Sequence, residues 1–189
     1  DLEPIREIFK DIVADSVRAA QVVQRLRSML RNAEPQCRPM QMNELVQECL
    51  LLARVDLARR GVTAIVHLDP NLPSVLGDRV QIQQVILNLI VNGCQAMATP
   101  AINTKRLTLT TSWLGQSRQV ELVVADNGEG IESGCLERIF QPFVTTKTDG
   151  LGLGLSISWS IVCAHAGSLW VENARIGTGA VFHLTLPVA

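Results

Sequence analysis

The sequence predicts an α/β protein of the α+β kind, a two-layer sandwich in which three helices cover a mixed sheet of about five strands, with a separate helix at the N-terminus. Three observations predict it. Helix-like and strand-like hydrophobic periods alternate from residue 43 to the end of the chain. Apolar residues make up 47% of the 189 positions, enough to close a core without metal or disulfide help. Finally, residues 5–31 contain no Gly or Pro and repeat apolar residues at helical spacing, after which Pro35 and Pro39 break the pattern.

Taken in order, the first element is that N-terminal helix. Ile5, Ile8, Phe9, Ile12, Val13, Ala19, Ala20, Val23, Leu26 and Leu30 form its apolar stripe, with Asp11, Asp15, Arg18, Arg25 and Arg27 largely between them. Such a stripe requires a partner helix, and no neighbouring stretch supplies one. A boundary near Pro35 divides the chain into 1–34 and 35–189. Asn43 is the expected N-cap of the next helix, which ends near Arg60 with Gly61 at the favoured C-terminal position. Val62 to Leu68 reads as a strand, 70–73 as a turn, and about 78–97 as a second helix. Leu107 to Trp113 and Val120 to Ala125 read as strands joined through Gly115-Gln116-Ser117. A glycine-rich irregular stretch covers 126–153, and a third helix runs from about Gly154 to Ala166, closed by Gly167. Leu169 to Glu172 and Ala180 to Leu186 form a last hairpin around Gly177-Thr178-Gly179.

Charge and cysteine usage narrow the function classes. Seventeen basic and 18 acidic residues nearly cancel, and a nucleic-acid binder would show a basic stripe instead. No polybasic segment suits an anionic membrane, and no apolar run reaches the ~18 residues of a membrane-spanning helix. Five scattered cysteines without a Cys-x-x-Cys pair point to reduced thiols in a cytoplasmic protein. The lack of an initiator methionine suggests a segment of a longer chain, in which any membrane anchor would lie elsewhere.

Three features carry chemistry. Gln81, Gln84, Asn88, Asn92 and Gln95 are spaced by three and four, so one face of the second helix carries carboxamides. Their oxygens are hard neutral ligands suited to Mg²⁺, or they hydrogen-bond a neighbouring loop. The strand at 120–125 stops at Asp126-Asn127-Gly128-Glu129-Gly130. An ionised aspartate accepts hydrogen bonds only, which matches the exocyclic amine of adenine and repels the carbonyl of guanine. Gly128 and Gly130 allow close backbone approach, although Asn-Gly is also an ordinary turn signal. Last, Gly150-Leu151-Gly152-Leu153-Gly154 runs into a helix whose N-terminus can hold phosphate oxygens, with Thr145, Thr146 and Lys147 just upstream as donors. Phe140, Pro142 and Phe143 give the intervening segment apolar anchors, as in a lid that docks and releases. The ladder has neither P-loop spacing nor a preceding βαβ unit.

In this order the features resemble the histidine-kinase branch of the Bergerat, or GHKL, ATPases. Residues 83–92 resemble the asparagine box, Asp126 to Gly130 the first glycine box, Ile139 to Phe143 the phenylalanine box, and Gly150 to Gly154 the second glycine box. The stretch Ile161 to Trp170 resembles the segment downstream of the second glycine box in these kinases, so the match spans about 40–187. The resemblance implies a Bergerat ATP-binding fold with ATP and Mg²⁺ as ligands. It implies Asn92 as the Mg²⁺ ligand, Asn88 near the phosphates, Asp126 on the adenine amine and Lys147 on the phosphates, with Asn88 and Lys147 as the catalytic pair; Gly128, Gly130, Ile131, Phe140, Thr145, Thr146, Gly150, Leu151, Gly152, Leu153 and Gly154 complete the implied ATP-binding set, the glycines of 150–154 forming the base of the lid. The short lid after Ile131 is similar to that of nitrogen-regulation and oxygen-sensing kinases. Gly93 replaces the usual alanine and Ala166 the usual glycine after His165, with little functional effect expected.

The related chaperone and mismatch-repair ATPases place a glutamate where Asn88 stands. A carboxamide is no general base at neutral pH, so the resemblance implies transfer rather than hydrolysis. The helix at 5–31, especially residues 18–27, resembles the second helix of a dimerisation stem, whose first helix carries the acceptor histidine. None of His67, His165 and His183 lies on a stem helix, so each is expected to be structural. The implied protein is an ATP-dependent histidine kinase, a homodimer through its stem, that passes its phosphoryl group to a response regulator. The alternatives are a hydrolytic clamp ATPase, a docking module without transfer activity, and a serine-directed kinase of the same superfamily.

Overall fold

The computed structural model describes residues 36–98, 104–145, 151–175 and 178–189. The expected stem helix lies outside the described residues. The described elements run β1 (Arg38–Met40), α1 (Met42–Arg60), β2 (Val62–Leu68), β3 (Val75–Gly77), α2 (Arg79–Ala96), β4 (Lys105–Leu114), β5 (Gln119–Asp126), a 3₁₀ turn (Ser133–Cys135), α3 (Gly154–Ala164), β6 (Ser168–Asn173) and β7 (Ala180–Pro187).

Five of the strands form one sheet in the order β2-β4-β5-β7-β6. β2 runs parallel to β4 and the other neighbours are antiparallel, so the sheet is mixed as expected. One face of the sheet is apolar. Leu107 and Leu109, then Val120, Leu122 and Val124, then Phe182, Leu184 and Leu186 alternate inward and are buried. Helix α2 packs between α1 and α3 above them. Its Ile82, Val85, Ile86, Leu89 and Ile90 are buried, as are Leu45, Val46 and Cys49 of α1. The three helices and five sheet strands match the sequence expectation.

Four details differ from it. β1 and β3 form a two-stranded ladder that the sequence does not announce, because three-residue strands have no readable period. α1 is capped by the backbone of Gln41 rather than by Asn43. Asn43 instead bridges the end of β2 to β4: its Nδ2 donates to Asp69 O at 2.7 Å, and its Oδ1 accepts from Thr111 Oγ1 at 2.8 Å. At the far end Gly61 takes the left-handed conformation (φ 66°) and donates its N–H back to the helix, as its position predicts. α3 stops at Ala164, two residues before the expected end. There Ala166, not Gly167, adopts positive φ (53°), while the Gly167 N–H returns to Val162 O at 3.0 Å. Gly167 is required for space, since a Cβ would meet Thr185 O at 2.2 Å.

α2 starts where the sequence places it. Asp78 is its N-cap, and Asp78 Oδ1 accepts from Val80 N at 3.0 Å and Gln81 N at 3.3 Å. The cap is held from α3: buried His165 accepts the Asp78 N–H on Nε2 at 2.9 Å, and its Nδ1 contacts Ile161 O at 2.7 Å. Those two partners fit a neutral ring with its proton on Nδ1. His165 is thus a structural pin between two helices. His183 is also engaged locally, 2.9 Å from Glu121 Oε1 and stacked on Trp170 with ring centres 4.7 Å apart.

Candidate nucleotide-binding site

The alternation that buries Val120, Leu122 and Val124 continues for one more step and delivers Asp126 to the same face at the end of β5. Its side chain is only 6% exposed. A carboxylate this deep is costly unless hydrogen-bonded. Asp126 Oδ1 accepts from Gly128 N at 2.8 Å and from Ala180 N at 3.3 Å, which fixes the plane of the group. Space for it comes from glycines. A Cβ on Gly93 of α2 would stand 3.5 Å from Asp126 Cβ and 2.6 Å from Leu107 Cδ1, and one on Gly128 would meet Ala96 O at 2.6 Å. Gly179 (φ 122°) passes so close over Asp126 that no side chain could fit, its Cβ falling 1.9 Å from Asp126 O.

The turn after Asp126 is fastened on both sides. Asn127 Oδ1 accepts from Arg106 N at 2.7 Å, and its Nδ2 donates to Thr104 O at 2.7 Å. Gly130 has φ 79°, which glycine alone adopts without strain. Ile131 comes next, half-buried and held by the side chain of Asn173.

On α2, Asn88 and Asn92 lie one turn apart and are half-buried, whereas Gln84 is exposed. Asn88 Nδ2 donates to Ser158 Oγ of α3 at 2.9 Å, and Ser158 Oγ donates to Gly154 O at 3.0 Å. A Cβ on Gly154 would stand 2.6 Å from Asn88 Oδ1. Gly154 is therefore what lets the first turn of α3 close on the asparagine. Leu153 at the N-cap of α3 offers no side-chain acceptor to the first N–H groups, so an anion can meet them together with the helix dipole.

The later part of the lid is tied to the start of α3. Ile139 and Phe140 pack against the core, and the Phe143 N–H donates to Gly152 O at 3.0 Å. Gly152 has φ 66°, and a Cβ there would collide with the Phe143–Val144 backbone at 2.6 Å. Phe143 is not the anchor that the sequence suggests, being 74% exposed, and Pro142 is exposed too. Phe143 also carries positive φ (66°), which an aromatic side chain adopts only under strain. Thr145 is exposed, and Leu151 lies just before Gly152. Thr146, Lys147 and Gly150 lie outside the described residues, as does Gly177.

The structure thus brings Asp126 and Gly128 to the C-terminal end of α2, Gly130 and Ile131 against the β6–β7 hairpin, and Asn88 against Gly154 at the start of α3. Sequence reasoning missed Ala180, Gly179, Ser158 and Asn173. Only Gly179 carried a readable signal, since Gly-Thr-Gly marks a turn; the others act through positions that a linear pattern does not join. The glycine cradle and the acceptor carboxylate fit a purine nucleotide with phosphates. The polar side chains that α2 carries beside the start of α3 include the carboxamides of Asn88 and, one turn on, Asn92. That chemistry fits Mg²⁺ shared with phosphate oxygens.

Residues 77–189 match the family described as histidine kinase-, DNA gyrase B- and HSP90-like ATPase, and the chain belongs to that family, in its histidine-kinase branch. Among curated relatives, the sensor protein FixL of Bradyrhizobium diazoefficiens is 38% identical over 174 residues, covering 92% of this chain and 34% of FixL. The solved histidine kinase ThkA, in complex with the response regulator protein TrrA, has a TM-score of 0.82 at 25% identity, covering 100% of this chain and 53% of that one. Full-length ShkA in complex with AMPPNP has a TM-score of 0.76 at 26% identity, covering 92% of this chain and 35% of that one. The chain spans from 19% to 39% of the length of the curated relatives.

Proposed function

We propose that this chain binds Mg-ATP and donates the γ-phosphoryl group to a histidine on the first helix of a dimeric stem, for onward transfer to an aspartate of a response regulator. The observation that carries the reading is Asp126: a buried carboxylate at the end of β5, oriented by two backbone N–H groups and closely packed by glycines. It selects adenine by accepting the exocyclic amine, with Gly128, Gly130, Ile131 and Phe140 enclosing the base. Thr145, Thr146, Lys147 and the backbone of Gly150, Leu151, Gly152, Leu153 and Gly154 bind the phosphates at the start of α3. Asn92 holds Mg²⁺, which supplies charge neutralisation along the phosphate chain when bound. Asn88, tied to Ser158, sets the spacing between α2 and the phosphate-binding turn.

Asn88 also supports transfer over hydrolysis. Its carboxamide cannot take a proton from water at neutral pH, so this chain positions and stabilises while the nucleophile comes from the stem. Residues 1–34 supply the second stem helix and 35–189 the catalytic domain. A homodimer joined through the stem, a response-regulator partner and a cytoplasmic location belong to the same reading. ThkA was crystallised with its regulator and ShkA with an ATP analogue, which supports the partner and the ligand. Among the described residues, no helix is long and apolar enough to cross a membrane.

The test joins the chain to a first stem helix bearing the histidine and tracks label from γ-labelled ATP. Acid-labile phosphohistidine on the stem is the expected product. A stable phosphoserine, or rapid phosphate release with unlabelled protein, would overturn the reading.

A further inference from the structure

We infer that Asn173 is a positioning residue that fixes the first hinge of the nucleotide lid, an inference that rests on the ATP-binding reading above. Asn173 is the last residue of β6. Its side chain treats Ile131 as a strand would treat a ladder partner: Nδ2 donates to Ile131 O at 2.6 Å, and Oδ1 accepts from Ile131 N at 2.7 Å. Both backbone polar groups of one loop residue are therefore satisfied by one carboxamide, 42 positions away in sequence.

Location gives the clamp its consequence. Ile131 comes directly after Gly130, whose φ of 79° makes it the point at which the chain turns out of the Asp126 loop. A Cβ on Gly130 would stand 3.0 Å from Asn173 Oδ1, so the glycine permits the approach. Asn173 is in register with Ala180, the residue whose N–H holds Asp126 Oδ1. The Ala174 N–H to Gly179 O bond, 3.0 Å, closes the hairpin between them. One hairpin end thus orients the base-selecting carboxylate with its main chain and pins the lid's first residue with a side chain. Removing the pin leaves the carboxylate in place and frees the hinge. Nucleotide release should accelerate, whereas encounter should not change.

Stopped-flow fluorescence with a fluorescent ATP analogue and Mg²⁺, on the full chain and its Asn173→Ala and Asn173→Asp variants, tests this. Loss of two neutral hydrogen bonds at a hinge should speed dissociation about tenfold, with the association rate within about twofold. Asn173→Asp keeps the acceptor but turns an oxygen toward Ile131 O, so it should release at least as fast as Asn173→Ala, and it carries the test if the alanine variant folds poorly. Amide exchange should show Ile131 losing protection in both variants. Loss of that protection with an unchanged dissociation rate would reduce Asn173 to a structural clamp and overturn the inference, as would protection that survives substitution. Failure of the unsubstituted chain to bind the analogue would instead strike the ATP-binding reading itself, and is seen before any variant is compared.

Discussion

Ala166 holds a left-handed backbone (φ 53°) after the end of α3, a conformation that costs an L side chain about 1–2 kcal/mol. The residue is exposed, so nothing packed depends on its methyl group. Ala166→Gly should therefore stabilise the domain by roughly 1 kcal/mol, less the larger backbone entropy of glycine in the unfolded chain; urea unfolding measures it. Burial, reinforced by neighbouring Glu48, pushes the Cys49 thiol up from 9.0 to about 12. The unfolded chain then ionises this thiol first. Stability from this group is full below about pH 9 and is lost as pH rises toward 12. Urea unfolding across that window should show a falling midpoint, and Cys49→Ala should flatten the fall. Single residues are the least legible part of the sequence. Asn43 looks like a helix cap because caps and strand-bridging carboxamides use the same residue type, and only the fold decides which partner, here Asp69 and Thr111, is within reach. Ala166 looks harmless in the sequence because its φ depends on where α3 ends, and no local pattern marks that point.

At the scale of elements, α2 and β5 are readable because each repeats one period for long enough to fix a face. The same repetition places the site: a step of two carries Val124 to Asp126, and steps of three and four carry Asn88 to Asn92. The hidden features lie where elements meet. The sequence puts Asp78 near the start of α2, but gives no sign of its tie to His165 across 87 positions. The approach of α3 to α2 likewise depends on Gly154, which the sequence offers only as one rung of a glycine ladder. Gly154→Ala puts a methyl group 2.6 Å from Asn88 Oδ1, so the Asn88 side chain must swing off its bond to Ser158 or the first turn of α3 must shift. It should cost about 1–3 kcal/mol of stability. Nucleotide affinity should also fall, because the displaced turn is the proposed phosphate site. Thermal melts with and without Mg-ATP separate the two effects: a variant that melts lower but still gains the full ATP-induced shift would speak against the phosphate assignment.

Across the whole molecule, the two-layer design explains why the pocket sits where it does. β5 ends at Asp126, α3 starts at Gly154, and the lid segment is tied across by the Phe143 N–H to Gly152 O bond. The groups proposed to select the base and to bind the phosphates thus lie on separate layers joined through α2. The order of the motifs makes this legible in the sequence, while the hairpin contacts that hold Asp126 and Ile131 emerge only from the topology. Titration calorimetry of Mg-ATP against the chain and its Asp126→Asn variant tests adenine recognition by Asp126. Asparagine keeps an oxygen to accept from Gly128 and Ala180 but replaces the other acceptor with an amide donor. Binding to the unsubstituted chain should be saturable and Mg²⁺-dependent, and weakened in the variant by at least about tenfold, as expected for a charge-assisted hydrogen bond. Equal affinity in the two proteins would contradict that recognition.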